Sequence, residues 1–131
     1  MDIQPGAFAE ITETVRPERT AEALGKTGVK VFGTPFLVSL IEQVASSVIE
    51  GHLPPGGTTV GTMVDIKHLA ATPVGMKVRA TATLLETDGR RFLFAIEAWD
   101  EKEKIAEGRH ERFVVGDLAK FLARVAKKVE G

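Results

Sequence analysis

Candidate chemistry concentrates in "GTMVDIKHLAATPVG", residues 61–75, which carries His68, one of three histidines in the chain. Val60, Thr62, Val64, Ile66 and His68 share one parity, and Gly61, Met63, Asp65 and Lys67 share the other. Alternate residues of a strand face opposite sides of the sheet. The alternation therefore predicts that His68 points the same way as Val60, Val64 and Ile66, toward the core. An imidazole titrates near neutrality, so an ionisable ring closing an apolar row is either a satisfied core histidine or a group placed to move a proton. Other chemistries are thin. The chain has no cysteine, which excludes thiolate catalysis, disulfides and Cys-ligated zinc and fits a reducing cytoplasm. No His-x-His pair or other cluster has metal-ligand spacing, so neither a metal nor another cofactor is expected.

The chemistry needs a scaffold, and the chain is long enough for one. Its 131 residues suit a single domain spanning 1–131, and 44% hydrophobic with 27% charged content is that of an ordinary soluble globule. A net charge of −1 gives no reason to expect nucleic acid or an anionic membrane as partner. No stretch reaches the ~18 apolar residues of a membrane span, and "MDIQPGAFAEI" lacks a basic segment followed by an apolar block. A cytoplasmic location is the expectation.

The periodicities predict the elements. "AFAEITETV" reads as a first strand, and residues 16–30 as a loop with a short helical turn. "TPFLVSLIEQVASSVIEGHLPPGG" is the clearest helix: Thr34 as N-cap, Pro35 at the first helical position, and a wide stripe of Leu37, Leu40, Ile41, Val44, Ala45 and Val48. Gly51 and the Pro54–Gly57 run end it. Four strands follow, "TTVGTMVDIKHL", "MKVRATATLLET", "RRFLFAIEAWD" and "IAEGRHERFVV". Their short connections, among them the Asp88-Gly89 turn, predict antiparallel pairing. Asp117 caps a last helix with Leu118, Phe121, Leu122, Val125 and Val129 on one stripe. The sum is an α+β domain. Its first helix is too apolar for a surface and calls for a curved antiparallel sheet wrapped around it. The edge strands such a sheet leaves open favour pairing of two copies.

Three stretches, "FGTPFLVSLIEQVA", "TVGTMVDIKHLAATPVG" and "EGRHERFVV", together with their spacing, resemble the fluoroacetyl-CoA thioesterase-like branch of the hotdog-fold superfamily. His-x-Ala-Ala-Thr-Pro-x-Gly is the most specific string. The resemblance runs from about Val31 onward, while the first thirty residues match poorly. It implies a hotdog fold and a homodimer that hydrolyses acyl-CoA thioesters at the subunit interface without metal. It places a catalytic threonine, glutamate and histidine on Thr34, Glu42 and His68, a glycine lining the thioester site on Gly61, and a nearby arginine on Arg112.

Those residue types suit the reaction. Hydrolysis needs an oxygen nucleophile, a base for its proton and donors for the oxyanion. His68 can serve as base, Glu42 can orient it or attack directly, Thr34 can be activated by it or hold a water, and Gly61 lets a ligand approach its backbone N–H. Each also has a structural reading: Glu42 a snorkelling flank residue, Thr34 a helix cap, Gly61 a bulge, Arg112 a strand-face ion pair, His110 a solvated neighbour of Arg112. Thr34 and Glu42 are eight positions apart, about 12 Å along a helix at ~1.5 Å per residue, so they cannot bond each other directly if the helix starts at Pro35. An acyl-thioester dehydratase and a non-catalytic acyl-CoA binder are the alternatives; the family strings disfavour the first, and the joint presence of His68 and Glu42 disfavours the second. Arg16–Lys30 is a candidate pocket cover.

Overall fold

A computed structural model describes residues 2–130 of the chain. In chain order it comprises strand β1 (Phe8–Thr14), two short 3-10 turns (Pro17–Arg19 and Glu22–Leu24), helix α1 (Thr34–Glu50), strands β2 (Thr58–His68), β3 (Lys77–Thr87), β4 (Arg91–Trp99) and β5 (Lys104–Val115), and helix α2 (Leu118–Glu130). The five strands form one antiparallel sheet in the order β1-β3-β4-β5-β2.

The sheet is built around α1. Every residue of the expected apolar stripe is buried, as is Ile49. The sheet answers with the alternating set Val78, Ala80, Ala82 and Leu84 on β3 and with Phe92, Phe94, Ile96 and Ala98 on β4, all 1% exposed or less. Small alanines in the middle strands let a continuous helix lie close to the sheet, and the phenylalanines fill what remains. The Asp88-Gly89 turn closes β3 and β4 as expected: Gly89 has φ +94°, and the Asp88 carboxylate accepts from the Arg90 and Arg91 N–H groups.

Two expectations need correction. Short connections predicted pairing between consecutive strands, yet β2 pairs with β5 and not with β3. Residues 69–76 instead cross the end of the sheet, tied by Leu69 N–H to the Ile105 carbonyl, Phe32 N–H to the Thr72 carbonyl and Gly75 N–H to the Val15 carbonyl. This crossing makes β2 an edge strand.

The second correction concerns the parity of β2. Gly61 pairs with Arg112 and Met63 with Glu111, so Thr62 is an extra, unpaired residue, a β-bulge. Residues before and after a bulge change sidedness relative to the sequence count. Val60 therefore faces outward, beside Phe113 and Phe121 of the α2 side, while Thr59, Gly61, Val64, Ile66 and His68 face α1. The Thr62 hydroxyl donates to the Glu111 carboxylate at 2.7 Å, and Arg91 holds that carboxylate from β4. Opposite Ile66, Gly108 adopts φ +152°, and a Cβ there would sit 2.1 Å from the Asp65 carbonyl oxygen.

Helix α2 starts as predicted, the Asp117 carboxylate accepting from Lys120 N–H at 3.0 Å. Its apolar stripe is not covered within one chain: Leu118, Leu122, Val125 and Val129 all remain exposed.

Candidate active site

The end of β2 meets the start of α1. The Thr34 hydroxyl oxygen lies 2.8 Å from His68 Nδ1. Thr34 is not the cap of the helix: Gly33 occupies that position with extended backbone, its carbonyl accepts from Phe36 and Leu37 N–H, and no side chain caps the first turn. The threonine is thus the first helical residue, and its hydroxyl is free for the imidazole. The approach to this turn is fixed by the preceding segment. Arg19 accepts Gly33 N–H at its carbonyl, pairs with Glu13 at 2.7 Å and lies over the Phe36 ring at 4.9 Å. Residues 16–30 therefore form a wall against the helix start, and Ala21 joins Phe32, Thr34, His68 and Ala70 around an open depression of about 350 Å³.

His68 is half-buried. Among the described residues its Nε2 is shielded from solvent and has no hydrogen-bond partner. Burial pushes the imidazole below its ordinary value of 6.5, with the Ala70 backbone opposing in part. At neutral pH the ring is therefore unprotonated, the state a general base requires.

This geometry separates the two roles of Thr34. Since no cap bond is lost, Thr34→Ala is expected to leave the melting temperature nearly unchanged, where a true N-cap would cost about 1 kcal/mol. kcat is expected to drop roughly tenfold or more, less than for a lost general base because water can take the place of the hydroxyl. Thr34→Ser should restore it. A destabilised alanine variant with undiminished kcat would remove Thr34 from the site.

A second cluster lies two turns along α1. Arg112 of β5 is 7% exposed. Its Nε donates to the Thr59 hydroxyl at 2.9 Å, its Nη2 to the Thr59 carbonyl at 3.1 Å, and its Nη1 reaches Glu42 Oε2 at 3.3 Å and His110 Nε2 at 3.2 Å. The Glu42 carboxylate is 43% exposed and overhangs Gly61, where a Cβ would come within 2.7 Å of its Oε2. Gly61 thus leaves room for the carboxylate. Arg112 spends its guanidinium on protein groups and steadies Glu42 from beneath.

Thr34 and His68 come together, and so do Glu42, Gly61 and Arg112. Within one chain the two groups stay apart because Thr34 and Glu42 are eight positions apart on α1, about 12 Å of helix at ~1.5 Å per residue. His110 departs from its expected place as a solvated neighbour: it is fully buried. The signal was present in β5, where Glu107, Arg109 and Glu111 occupy one parity and Ala106, Gly108, His110, Arg112 and Val114 the other. Three charges on one side mark the opposite side as inner. Among the described residues no group of three or more His, Asp or Glu could hold a metal ion, and no helix is long and apolar enough to cross a membrane.

The chain is similar to thioesterases over most of its length. The sequence profile of the fluoroacetyl-CoA-specific thioesterase (FlK) family matches residues 15–117, which takes in the 16–30 segment that the motifs alone left out. The fluoroacetyl-CoA thioesterase of Streptantibioticus cattleyicolor is 39% identical over 99 residues, 76% of this chain and 70% of that protein. The solved fluoroacetyl-CoA thioesterase FlK superposes with a TM-score of 0.89 at 33% identity, covering 98% of each chain. A thioesterase-superfamily member from Thermus thermophilus gives 0.88 at 29% identity over 99% of this chain and 98% of that one. A hot-dog-like protein from Thermanaerovibrio acidaminovorans, 24% identical, gives 0.89 over 100% and 99% and shares the fold.

Proposed function

Because the chain belongs to the fluoroacetyl-CoA-specific thioesterase family, we propose that it hydrolyses a short or medium acyl-CoA. The site would consist of Thr34, His68 and Glu42, with Gly61 and Arg112 beside Glu42, at the interface of a homodimer in a cytoplasmic setting. The observation that carries this reading is the 2.8 Å contact between the Thr34 hydroxyl and an imidazole whose protonation burial disfavours. His68 takes the proton of the attacking oxygen, either the Thr34 hydroxyl or a water held by it. The thioester carbonyl becomes a tetrahedral oxyanion close to the positive end of the α1 dipole. Its collapse expels the CoA sulfur, to which the imidazolium returns the proton. Where Thr34 is the attacking oxygen, the acyl group stays on it as an ester until a water deprotonated by His68 attacks, releasing the carboxylic acid and restoring the hydroxyl. Glu42 supplies the negative charge that favours the imidazolium.

A dimer resolves the separation of the two clusters. β2 is an edge strand, and Gly61, Val64 and His68 on its inner face lie along that edge. Two β2 edges paired antiparallel about a twofold would set two α1 helices in opposite directions. Thr34 and His68 of one protomer would then lie across from Glu42 of the other.

The test is release of free CoA from a panel of acetyl-, fluoroacetyl- and longer acyl-CoA thioesters in the presence of chelator. Sedimentation equilibrium would be run on the same preparation. Turnover of at least one short or medium thioester by a species of twice the chain mass is expected. No CoA release from any member of the panel would refute hydrolysis, and full activity in a monomer would refute the shared site.

A further inference from the structure

We propose that His110 is a positioning residue for this hydrolysis: a neutral imidazole, donating from Nδ1 and accepting at Nε2, that fixes the Arg112 guanidinium under the Glu42 carboxylate. The inference rests on the reading that Glu42 takes part in the chemistry.

The ring has two polar contacts and they allow one protonation state. His110 Nδ1 lies 2.8 Å from the Met63 carbonyl oxygen. A carbonyl only accepts, so Nδ1 carries the hydrogen. Nε2 lies 3.2 Å from Arg112 Nη1. A guanidinium only donates, so Nε2 presents its lone pair. The neutral Nδ1–H tautomer satisfies both contacts, whereas an imidazolium would set N–H against N–H beside a cation. The surroundings act in the same sense. Burial lowers the affinity of the ring for a second proton, the Met63 carbonyl opposes, Arg112 lowers it further, and Glu42 and Glu111 oppose.

The chemical identity of the acceptor matters. Arg112 is a buried cation whose only carboxylate within ion-pair distance, among the described residues, is Glu42. A buried charge needs its remaining donors satisfied. A carboxylate at position 110 would satisfy them and draw the guanidinium away from Glu42. An imidazole satisfies them without adding negative charge, leaving the electrostatic attraction of Arg112 for Glu42. The Met63 carbonyl that orients the ring follows the Thr62 bulge directly, so the irregular part of β2 also sets the position of the ring.

The experiment is a double-mutant cycle with Glu42→Gln, read as kcat, KM and melting temperature. His110→Asn places an amide near the Nδ1 position and keeps the Met63 bond, but leaves Arg112 without its acceptor. His110→Gln reaches toward the Nε2 position and restores one. We expect His110→Asn to lower kcat roughly tenfold, within the coupling range of groups in one network, with KM near the parent value. His110→Gln should recover most of that loss, and His110→Asn should cause no further loss in the Glu42→Gln background. An equal loss in both backgrounds, no recovery with glutamine, or wild-type kcat in His110→Asn overturns the proposal. If Glu42→Gln alone keeps wild-type kcat, the role of Glu42 falls first and this inference with it. Should the asparagine variant not fold, imidazole 15N shifts of the unaltered protein decide. A neutral Nδ1–H ring at about pH 7 is expected, and an Nε2–H tautomer or an imidazolium at that pH overturns it.

Discussion

Replacement of His68 by alanine is expected to lower kcat by about 10²–10⁴-fold, the range for removal of a general base. The thioester carbonyl is already electrophilic, so the protein must deliver a deprotonated oxygen, and His68 is the group within 2.8 Å of the Thr34 hydroxyl that can accept a proton at neutral pH. The loss should come with a small change in melting temperature, because the ring is half-buried and its Nε2 has no partner to lose. The pH profile gives a second check. Burial holds the imidazole below 6.5, so the acid limb of kcat should fall below pH 6.5. The same shift links to stability. The unfolded ring takes up a proton at the ordinary value and the folded ring resists, so this contribution is full above about pH 6.5 and is lost as the pH drops through the folded value. If His68→Ala hydrolyses every thioester at the parent rate, the ring is a packing residue.

Glu42→Gln is expected to reduce kcat by about 10²-fold, on the scale of losing one charge-stabilising group at a reacting centre. The amide keeps the shape of the carboxylate and still accepts from Arg112 Nη1, so the fold should persist. What disappears is the negative charge that stabilises an imidazolium. Gly61→Ala provides an independent route to the same result without touching a polar atom. Its Cβ would fall 2.7 Å from Glu42 Oε2 and 3.3 Å from both Arg112 Nη1 and His110 Cε1. The carboxylate is the exposed end of a flexible side chain and can swing away, so the substitution should displace Glu42 at little cost to stability. Both variants should lose activity while retaining the parent melting temperature to within a few degrees. An active Gly61→Ala protein would show that the carboxylate need not stand over that glycine.

Most of the fold was legible because its pattern is local. The α1 stripe, the β3 alternation, the Asp88-Gly89 turn and the Asp117 cap each depend on residues within one or two turns of one another. What was not legible depends on pairing between distant segments. The place of β2 beside β5 is decided by the crossing at residues 69–76, and the Thr62 bulge exists only relative to β5. Counting parity through Thr62 put Val60 on the same side as His68, though the inward direction of His68 itself survives. Thr34 carried two readings, a cap from its type and from Pro35 and a site hydroxyl from the family motif. A glycine with extended backbone serves equally before a helix, and the hydroxyl lies against His68 instead. His110 was overlooked as a buried group because its charged neighbour Arg112 suggested solvent, when the three charges of the opposite parity were the better guide.

The Thr62 bulge means that β2 contains one residue more than its partner's ladder counts. Removing Thr62 would leave Gly61 and Val64 two positions apart, so both would still face inward in an unbroken ladder with Arg112 and His110. Removing Met63 would have the same effect, with Thr62 opposite Glu111, whereas removing Asp65 would also straighten the ladder but put Met63 opposite His110 and turn Val64 outward. Deletions are therefore not equivalent along this strand. In an alignment of homologues, a gap in β2 belongs at Thr62 or Met63, where Val64, Ile66 and His68 keep facing inward, and a homologue shorter by one residue there can carry the same glycine and histidine on a straighter edge.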